Sequence, residues 1–218
     1  MKNETPRSGG VIFDMDGLML DTERPLLPLW VQAGKLLGWE ITQETAIHTL
    51  GLNGDDIRTL CMNELGPDFP YDSFREELER LANEEFEKGI ALKPGLTFLL
   101  DHLRSKGIPL AVATSSERNK ALWRLGKAGI LDRFSVMVCG DEITRGKPDP
   151  DIFLLTAKKL GLAPSDCIGF EDSPAGLQAL HTAGIRSVFV RDIIEPPDHV
   201  LSTIWQRRNN LAEAADLF

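Results

Sequence analysis

Val11-Ile12-Phe13-Asp14-Met15-Asp16-Gly17 is an apolar run that ends in two carboxylates separated by a single residue. With Gly9-Gly10 before it and Gly17 after it, the run reads as a short strand buried on both faces, as in the interior of a parallel sheet. Side chains two apart on an extended chain point the same way. Asp14 and Asp16 are therefore expected to share one space at the strand's carboxyl end, where open α/β sheets place their ligands. Two carboxylates so close resist joint ionisation, so the site needs a cation, a shared proton or both. A divalent metal ion meets that need. Taken alone, the same residues also describe a strand running into an Asp-Gly turn.

Composition narrows the choice. A chain of 218 residues can bury a full core as one large domain, or as one domain carrying an insertion. A net charge of -9, with no run of Lys and Arg longer than a pair such as Arg207-Arg208, argues against a nucleic-acid surface and for a small partner. Cys61, Cys139 and Cys167 are scattered, odd in number and without CxxC or His spacing, so they read as buried thiols in a reducing cytoplasm. The segment Met1 to Arg7 lacks an apolar signal region, and no apolar run reaches membrane-spanning length. A soluble, cytoplasmic protein with no membrane partner is expected.

After Gly17 the periodicity changes. Leu26, Leu29, Trp30, Ala33 and Leu37 are spaced for one apolar helix face between about Pro25 and Leu37. Further helices are expected to open at Thr42, at Asp55-Asp56 beyond the Gly51-Leu52-Asn53-Gly54 interruption, and at Ser73, the last reaching about Lys88. No strand is expected between residues 24 and 90. From Lys93-Pro94-Gly95 onward, strand and helix alternate: strands at 109–113, 135–138, 167–170 and 187–190, with helices at 96–105, 117–128, 150–160 and 174–183 between them. This pattern predicts an α/β fold, a parallel sheet with helices on both faces. Residues 187–190 are read as its last strand, and the tail from His199 as one terminal helix. The helical unit lies between two pieces of one core and reads as an insertion.

Three constellations fall just past strand ends. Thr114-Ser115-Ser116 puts hydroxyls beside the free N–H groups of the next helix, a cradle for a phosphate oxygen or a plain helix cap. In Gly146-Lys147-Pro148-Asp149-Pro150, Asp149 is read as capping the helix that Pro150 begins, and Lys147 precedes a proline. Its backbone is therefore extended, and its side chain can reach inward. Glu171-Asp172 ends an apolar strand with a second acidic pair. Carboxylates at the ends of two strands make a hard-oxygen site of the kind Mg2+ uses.

FDMDG, ATSS, GKPDP and FEDSPAG, in that order, resemble the four motifs of the haloacid dehalogenase superfamily. The helical insertion after the first motif is similar to that superfamily's small α-helical cap. The resemblance covers essentially the whole chain and is closest to the branch of sugar-phosphate phosphatases and β-phosphoglucomutases. It implies a Rossmann-like core formed by residues 1–20 and 91–218, with a cap at 21–90 hinged near Leu20 to Glu23 and Ala91 to Pro94. It implies that Asp14 is the nucleophile, forming an aspartyl-phosphate, and that Asp16 is the general acid and base. Of Asp16, the backbone carbonyl and not the carboxylate would touch the metal. It implies that Asp172 and Glu171 complete the Mg2+ shell or orient its waters, and that Thr114 and Lys147 hold the phosphoryl oxygens. A monomer is the usual state of the branch.

β-Phosphoglucomutases carry a His after the first motif, and a Lys and an Arg in the loop resembling residues 51–54. The matching positions here are Leu26, Leu50 and Gly54. A hydrolase needs none of those groups, because water replaces the second phosphate acceptor. The expectation is therefore a Mg2+-dependent phosphatase of a small phosphorylated metabolite, a sugar phosphate on the resemblance, with a phosphomutase as the alternative. A catalytically silent metabolite-binding protein is a second alternative, which the intact motifs disfavour. Leu18, Met19, Leu20 and the 51–54 loop are expected to line the mouth of the site, with Arg24 and Arg58 the nearest substitute cations.

Overall fold

Gly10–Phe13 (β1) is buried at every residue, so it must pair on both edges. It does: Val11 lies opposite Leu110 on one side and Ile168 on the other, both parallel. The computed structural model describes residues 9–50, 52 and 54–218. Gly51 and Asn53 of the expected cap loop, and the Met1 to Arg7 segment, lie outside the described residues.

Beyond β1 the chain forms α1 (Glu23–Leu36), α2 (Gln43–His48), α3 (Gly54–Leu65) and α4 (Tyr71–Glu87). Then come α5 (Leu96–Ser105), β2 (Leu110–Thr114), α6 (Arg118–Lys127), β3 (Val136–Cys139), α7 (Asp151–Leu160), β4 (Cys167–Glu171), α8 (Pro174–Thr182) and β5 (Arg186–Val190). The tail adds α9 (Asp198–Leu201), β6 (Gln206–Arg208) and a 3-10 turn over Leu211–Leu217. The strands make one parallel sheet in the order β3-β2-β1-β4-β5-β6. This is the Rossmann-like α/β fold expected.

Alternate residues of β1 serve opposite faces. Val11 and Phe13 pack with Leu99, Leu103 and the terminal turn at Leu211 and Ala214. Ile12 packs with Ile152, Phe153 and Leu180 of α7 and α8. Fully burying each such side chain contributes about 2 kcal/mol. Helices α1–α4 have an apolar centre of their own around Trp30, Phe69, Phe74 and Leu81, with the Trp30 and Phe74 rings 4.9 Å apart. The two crossings to the sheet run side by side: Leu20 bridges Leu92, and the Asp21 and Lys93 amides donate to Ala91 and Met19. Among the described residues, no helix is long and apolar enough to cross a membrane.

Three expectations change. The tail from His199 is not one terminal helix, because its chain is divided among the short α9, the edge strand β6 and the 3-10 turn. Residues 187–190 are not the last strand, because Gln206–Arg208 adds a sixth along β5. Its three side chains are polar and none is fully buried, as suits a sheet edge, so apolar patterning is silent there. Asp149 does not cap α7: the helix starts at Asp151 without a side-chain cap, and Asp149 pairs with Arg145 at 3.2 Å.

Candidate active site

β1 carries Asp14 to the carboxyl edge of the sheet between its neighbours β2 and β4, and the Asp14 amide still donates to Phe170 at 3.1 Å. The chain then turns at Gly17, whose φ is +84°. A Cβ there would lie 2.4 Å from an Asp172 oxygen, so both conformation and space call for glycine.

Lys147 lies at the centre. Its Nζ donates to Asp14 Oδ1 at 2.5 Å and to Glu171 Oε1 at 2.5 Å, and sits 5.0 Å above the Phe153 ring. The other Glu171 oxygen accepts from the Asp172 amide, the Ser173 amide and Ser173 Oγ, each at 3.0 Å. Both oxygens of Glu171 are thus committed, and its structural work is to hold the ammonium. Ser173 Oγ accepts in turn from the Gly176 amide and caps α8, with Pro174 in its first turn.

Asp172 is buried, and its Oδ1 has no hydrogen-bond partner among the described residues. Carboxylate oxygens of Asp14, Glu171 and Asp172 lie within 4.8 Å of one another. A second set, Glu23, Asp172 and Asp192, adjoins the first through Asp172. Lys147 pairs with Asp14 and Glu171, and Lys93 and Arg24 with Asp192, so three cations face five acids. Burial, and then the charges of Glu171 and Asp16, push Asp14 up to about 8 despite Lys147. Burial and the charges of Glu23, Glu171 and Asp14 raise Asp172 as well. Burial works to lower Lys147, but Asp14 and Glu171 outweigh it and hold the ammonium charged. A crowded set of hard oxygens with an orphaned buried acceptor fits a divalent cation.

The Asp16 side chain is held elsewhere. Oδ1 accepts from Thr22 Oγ1 at 2.8 Å and Arg124 Nη1 at 2.6 Å, and Oδ2 accepts from Ser116 Oγ at 2.8 Å. Neither acidic set includes that side chain. Thr114 is buried beside Lys147's strand-end partner Ala113, and its Oγ1 accepts from the Ser116 amide, leaving its own proton free to donate. Ser115 is exposed. Asp14, Asp16, Thr114, Ser116, Lys147, Glu171 and Asp172 are thus linked by contacts at the strand ends, with Ser115 between Thr114 and Ser116 in the chain.

Leu18, Met19 and Leu20 do not line a mouth. All three are buried in the main core, because the chain folds back beneath Met15 after Gly17. Leu50 does face the site, in a cleft with Glu23, Asp172, Ser173 and Ile194. Arg24 is bound to Asp21 and Asp192, and Arg58 to Asp72, so both are already paired with carboxylates.

Four residues escaped the sequence reading. Thr22 and Glu23 come just after Leu18 to Asp21, which follow the first motif, and Glu23 is pushed up to about 8 by burial and by Asp192 and Asp16. Asp192 follows β5, the same strand-end position as the other acids. Arg124 betrays itself only as a charge between buried Ala121 and Leu125 on the inner face of α6.

The profile of the haloacid dehalogenase-like hydrolase family matches residues 11–190. The chain belongs to that family, and its enzyme class is phosphoric monoester hydrolase. It is 32% identical over 179 residues to the phosphorylated carbohydrates phosphatase of Thermotoga maritima, covering 82% of this chain and 83% of that one. It is 29% identical over 187 residues to the β-phosphoglucomutase of Bacillus subtilis, covering 83% and 82%. A solved HAD hydrolase, family IA, variant 3, from Entamoeba histolytica superposes with a TM-score of 0.78 at 25% identity, covering 95% and 98%.

Proposed function

We propose that this chain is a Mg2+-dependent phosphatase of a compact alkyl phosphate, a sugar or polyol phosphate, working through an aspartyl-phosphate on Asp14. The observation that carries the reading is the buried cluster of Asp14, Glu171 and Asp172, in which Lys147 pairs with Asp14 and Glu171 and Asp172 keeps an unpartnered oxygen, with the Asp16 carboxyl held apart by neutral hydroxyls and Arg124. These different surroundings support a reading in which one carboxylate attacks and the other handles protons, the usual division between paired acids in different environments.

An Asp14 oxygen attacks phosphorus in line, the bond to the alkyl oxygen breaks, and Asp16 gives its proton to the departing alkoxide. Asp16 then takes a proton from water as that water attacks the aspartyl-phosphate, releasing inorganic phosphate and restoring Asp14. Lys147 and the Thr114 hydroxyl hold the phosphoryl oxygens, where charge stabilisation supplies much of the catalysis. Asp14, Asp172 and the main-chain carbonyl of Asp16 would hold Mg2+, which when bound supplies the positive charge this acidic set lacks. Glu171 keeps Lys147 in place.

Residues 21–90 act as a cap, closing over the site about the paired crossings at Leu20 and Leu92 to exclude water. The free, buried thiols of Cys61, Cys139 and Cys167, each pushed up to about 11 by burial, are inert and suit a reducing cytoplasm.

A panel of phosphorylated metabolites, assayed for phosphate release with Mg2+ and with a chelator, tests the reading. Fastest turnover of a compact sugar or polyol phosphate, lost with the chelator, is expected. Full activity without divalent metal, or turnover confined to aryl phosphates, would overturn it.

A further inference from the structure

Arg124 and Asp16 lie 108 residues apart in sequence and meet in the site. Arg124 projects from the buried face of α6 and is 5% exposed. A guanidinium at such a position is costly to desolvate, and a leucine would pack there at no electrostatic cost. What it gains is visible in its contacts. Nη1 donates to Asp16 Oδ1 at 2.6 Å, and the guanidinium lies over the Phe86 ring at 5.3 Å. Phe86 belongs to α4 and is itself buried. On either side of this contact, Lys120 pairs with Glu79 at 3.3 Å and Lys127 pairs with Glu87. Helix α6 therefore meets α4 along three ionic or cation–π contacts, and the middle one continues to Asp16.

Thr22 Oγ1 and Arg124 both donate to Oδ1. Guanidinium N–H groups cannot accept, so Oδ1 is fixed as an acceptor. Ser116 Oγ, the neighbour of Oδ2, can donate or accept. The oxygen left to carry and pass a proton is therefore Oδ2.

We propose that Arg124 is a positioning residue for the acid–base carboxyl: it fixes the plane of Asp16 so that Oδ2 meets the leaving oxygen. Its seat on Phe86 makes that orientation depend on α4. The proposal rests on the reading of Asp16 as general acid and base.

Leaving-group dependence separates positioning from bulk structure. Alkoxides need a proton as they depart, whereas p-nitrophenolate leaves without one. The readout is kcat/KM for the best alkyl phosphate of the panel divided by kcat/KM for p-nitrophenyl phosphate, measured on the full chain with Mg2+. Arg124→Met is expected to lower this ratio about tenfold or more, because a misaligned acid loses much of its contribution. Arg124→Lys should recover a large part of the loss. In the Asp16→Asn background, Arg124→Met should leave the ratio where Asp16→Asn alone puts it. If Arg124→Met does not fold, Arg124→Gln takes its place with the same expected fall. A ratio lowered by Asp16→Asn but untouched by the Arg124 variants would overturn the positioning role while the proposed mechanism stands. A ratio unmoved by Asp16→Asn would overturn the acid–base reading itself, and Arg124's role with it.

Discussion

Asp14, Glu171, Asp172, Glu23 and Asp192 face three cations, Lys147 on Asp14 and Glu171, and Lys93 and Arg24 on Asp192, and that imbalance sets how single substitutions should behave. In metal-free protein Asp14 is pushed from 3.8 to about 8, and Glu23 from 4.5 to about 8. The unfolded chain releases these protons near the ordinary values, so between about pH 4 and 8 the native state binds more protons than the unfolded one. Stability from this source is full below the lower limit and is lost as pH rises through the upper. With chelator, the melting temperature should fall from pH 5 to pH 8, and Mg2+ should restore it at pH 8. Asp14→Asn should flatten the slope, abolish turnover and keep the fold, since the amide matches the carboxylate in shape but is a far poorer nucleophile. A slope that rises with pH would contradict the charge imbalance. Lys147→Met leaves Glu171 and Asp14 facing each other unpaired and should cost about 3 kcal/mol or more in urea unfolding. Calorimetric Mg2+ titration should show Asp172→Asn losing more affinity than Asp16→Asn. The reverse order would mean that the Asp16 carboxylate is a ligand.

At the scale of elements, the first turn of α8 has to come very close to the end of β4. A Cβ at Gly176 would lie 1.8 Å from Glu171 Oε1, the oxygen that receives Lys147. Gly176→Ala should therefore displace Glu171, cost about 2 kcal/mol and lower kcat at least tenfold by loosening Lys147. Gly126→Ala on α6, where nothing lies within 4 Å, should instead stabilise by about 0.5 to 1 kcal/mol. Chemical denaturation and initial rates on the two variants provide the comparison, and equal behaviour would refute the close-approach account. The elements themselves were largely legible in the sequence. β1, β2, β4 and β5 are apolar runs that the interior of a parallel sheet demands, and the Gly and Pro boundaries of the helices are local chemistry. β6 was not legible, because a polar edge strand borrows its conformation from β5. Asp14, Lys147, Glu171 and Asp172 could be read because each ends a strand or precedes a proline. Arg124 and Asp192 could not be placed, because their roles depend on which elements become neighbours. Leu18 to Leu20 were misread for the same reason: adjacency to a motif in sequence does not place a side chain at the surface of the site.

For the whole molecule, the decisive question is whether the site under helices α1–α4 can hold two phosphates. A phosphomutase must retain a bisphosphate while it reorients, and its distal phosphate then needs cations from the insertion. Leu50 stands in the cleft beside Glu23 and Asp172, Gly54 opens α3 with nothing within 4 Å of where a side chain would start, and Leu26 packs into the apolar core. The nearby cations are already committed: Arg24 and Lys93 to Asp192, Arg58 to Asp72, and Arg124 to Asp16. Glu23 adds a carboxyl where a mutase would want a positive charge. A second phosphate dianion in this closing, water-poor space would have neither a guanidinium nor an ammonium partner, a heavy cost for a buried charge. Incubation with β-glucose 1-phosphate and catalytic glucose 1,6-bisphosphate should therefore release inorganic phosphate or give no reaction, without accumulation of glucose 6-phosphate. Placing Lys at position 50 should strengthen inhibition by the bisphosphate, because it supplies the missing partner at the cleft. Net isomerisation faster than phosphate release in a coupled assay would make the chain a mutase, and would require one of the four committed cations to leave its present carboxylate during closure.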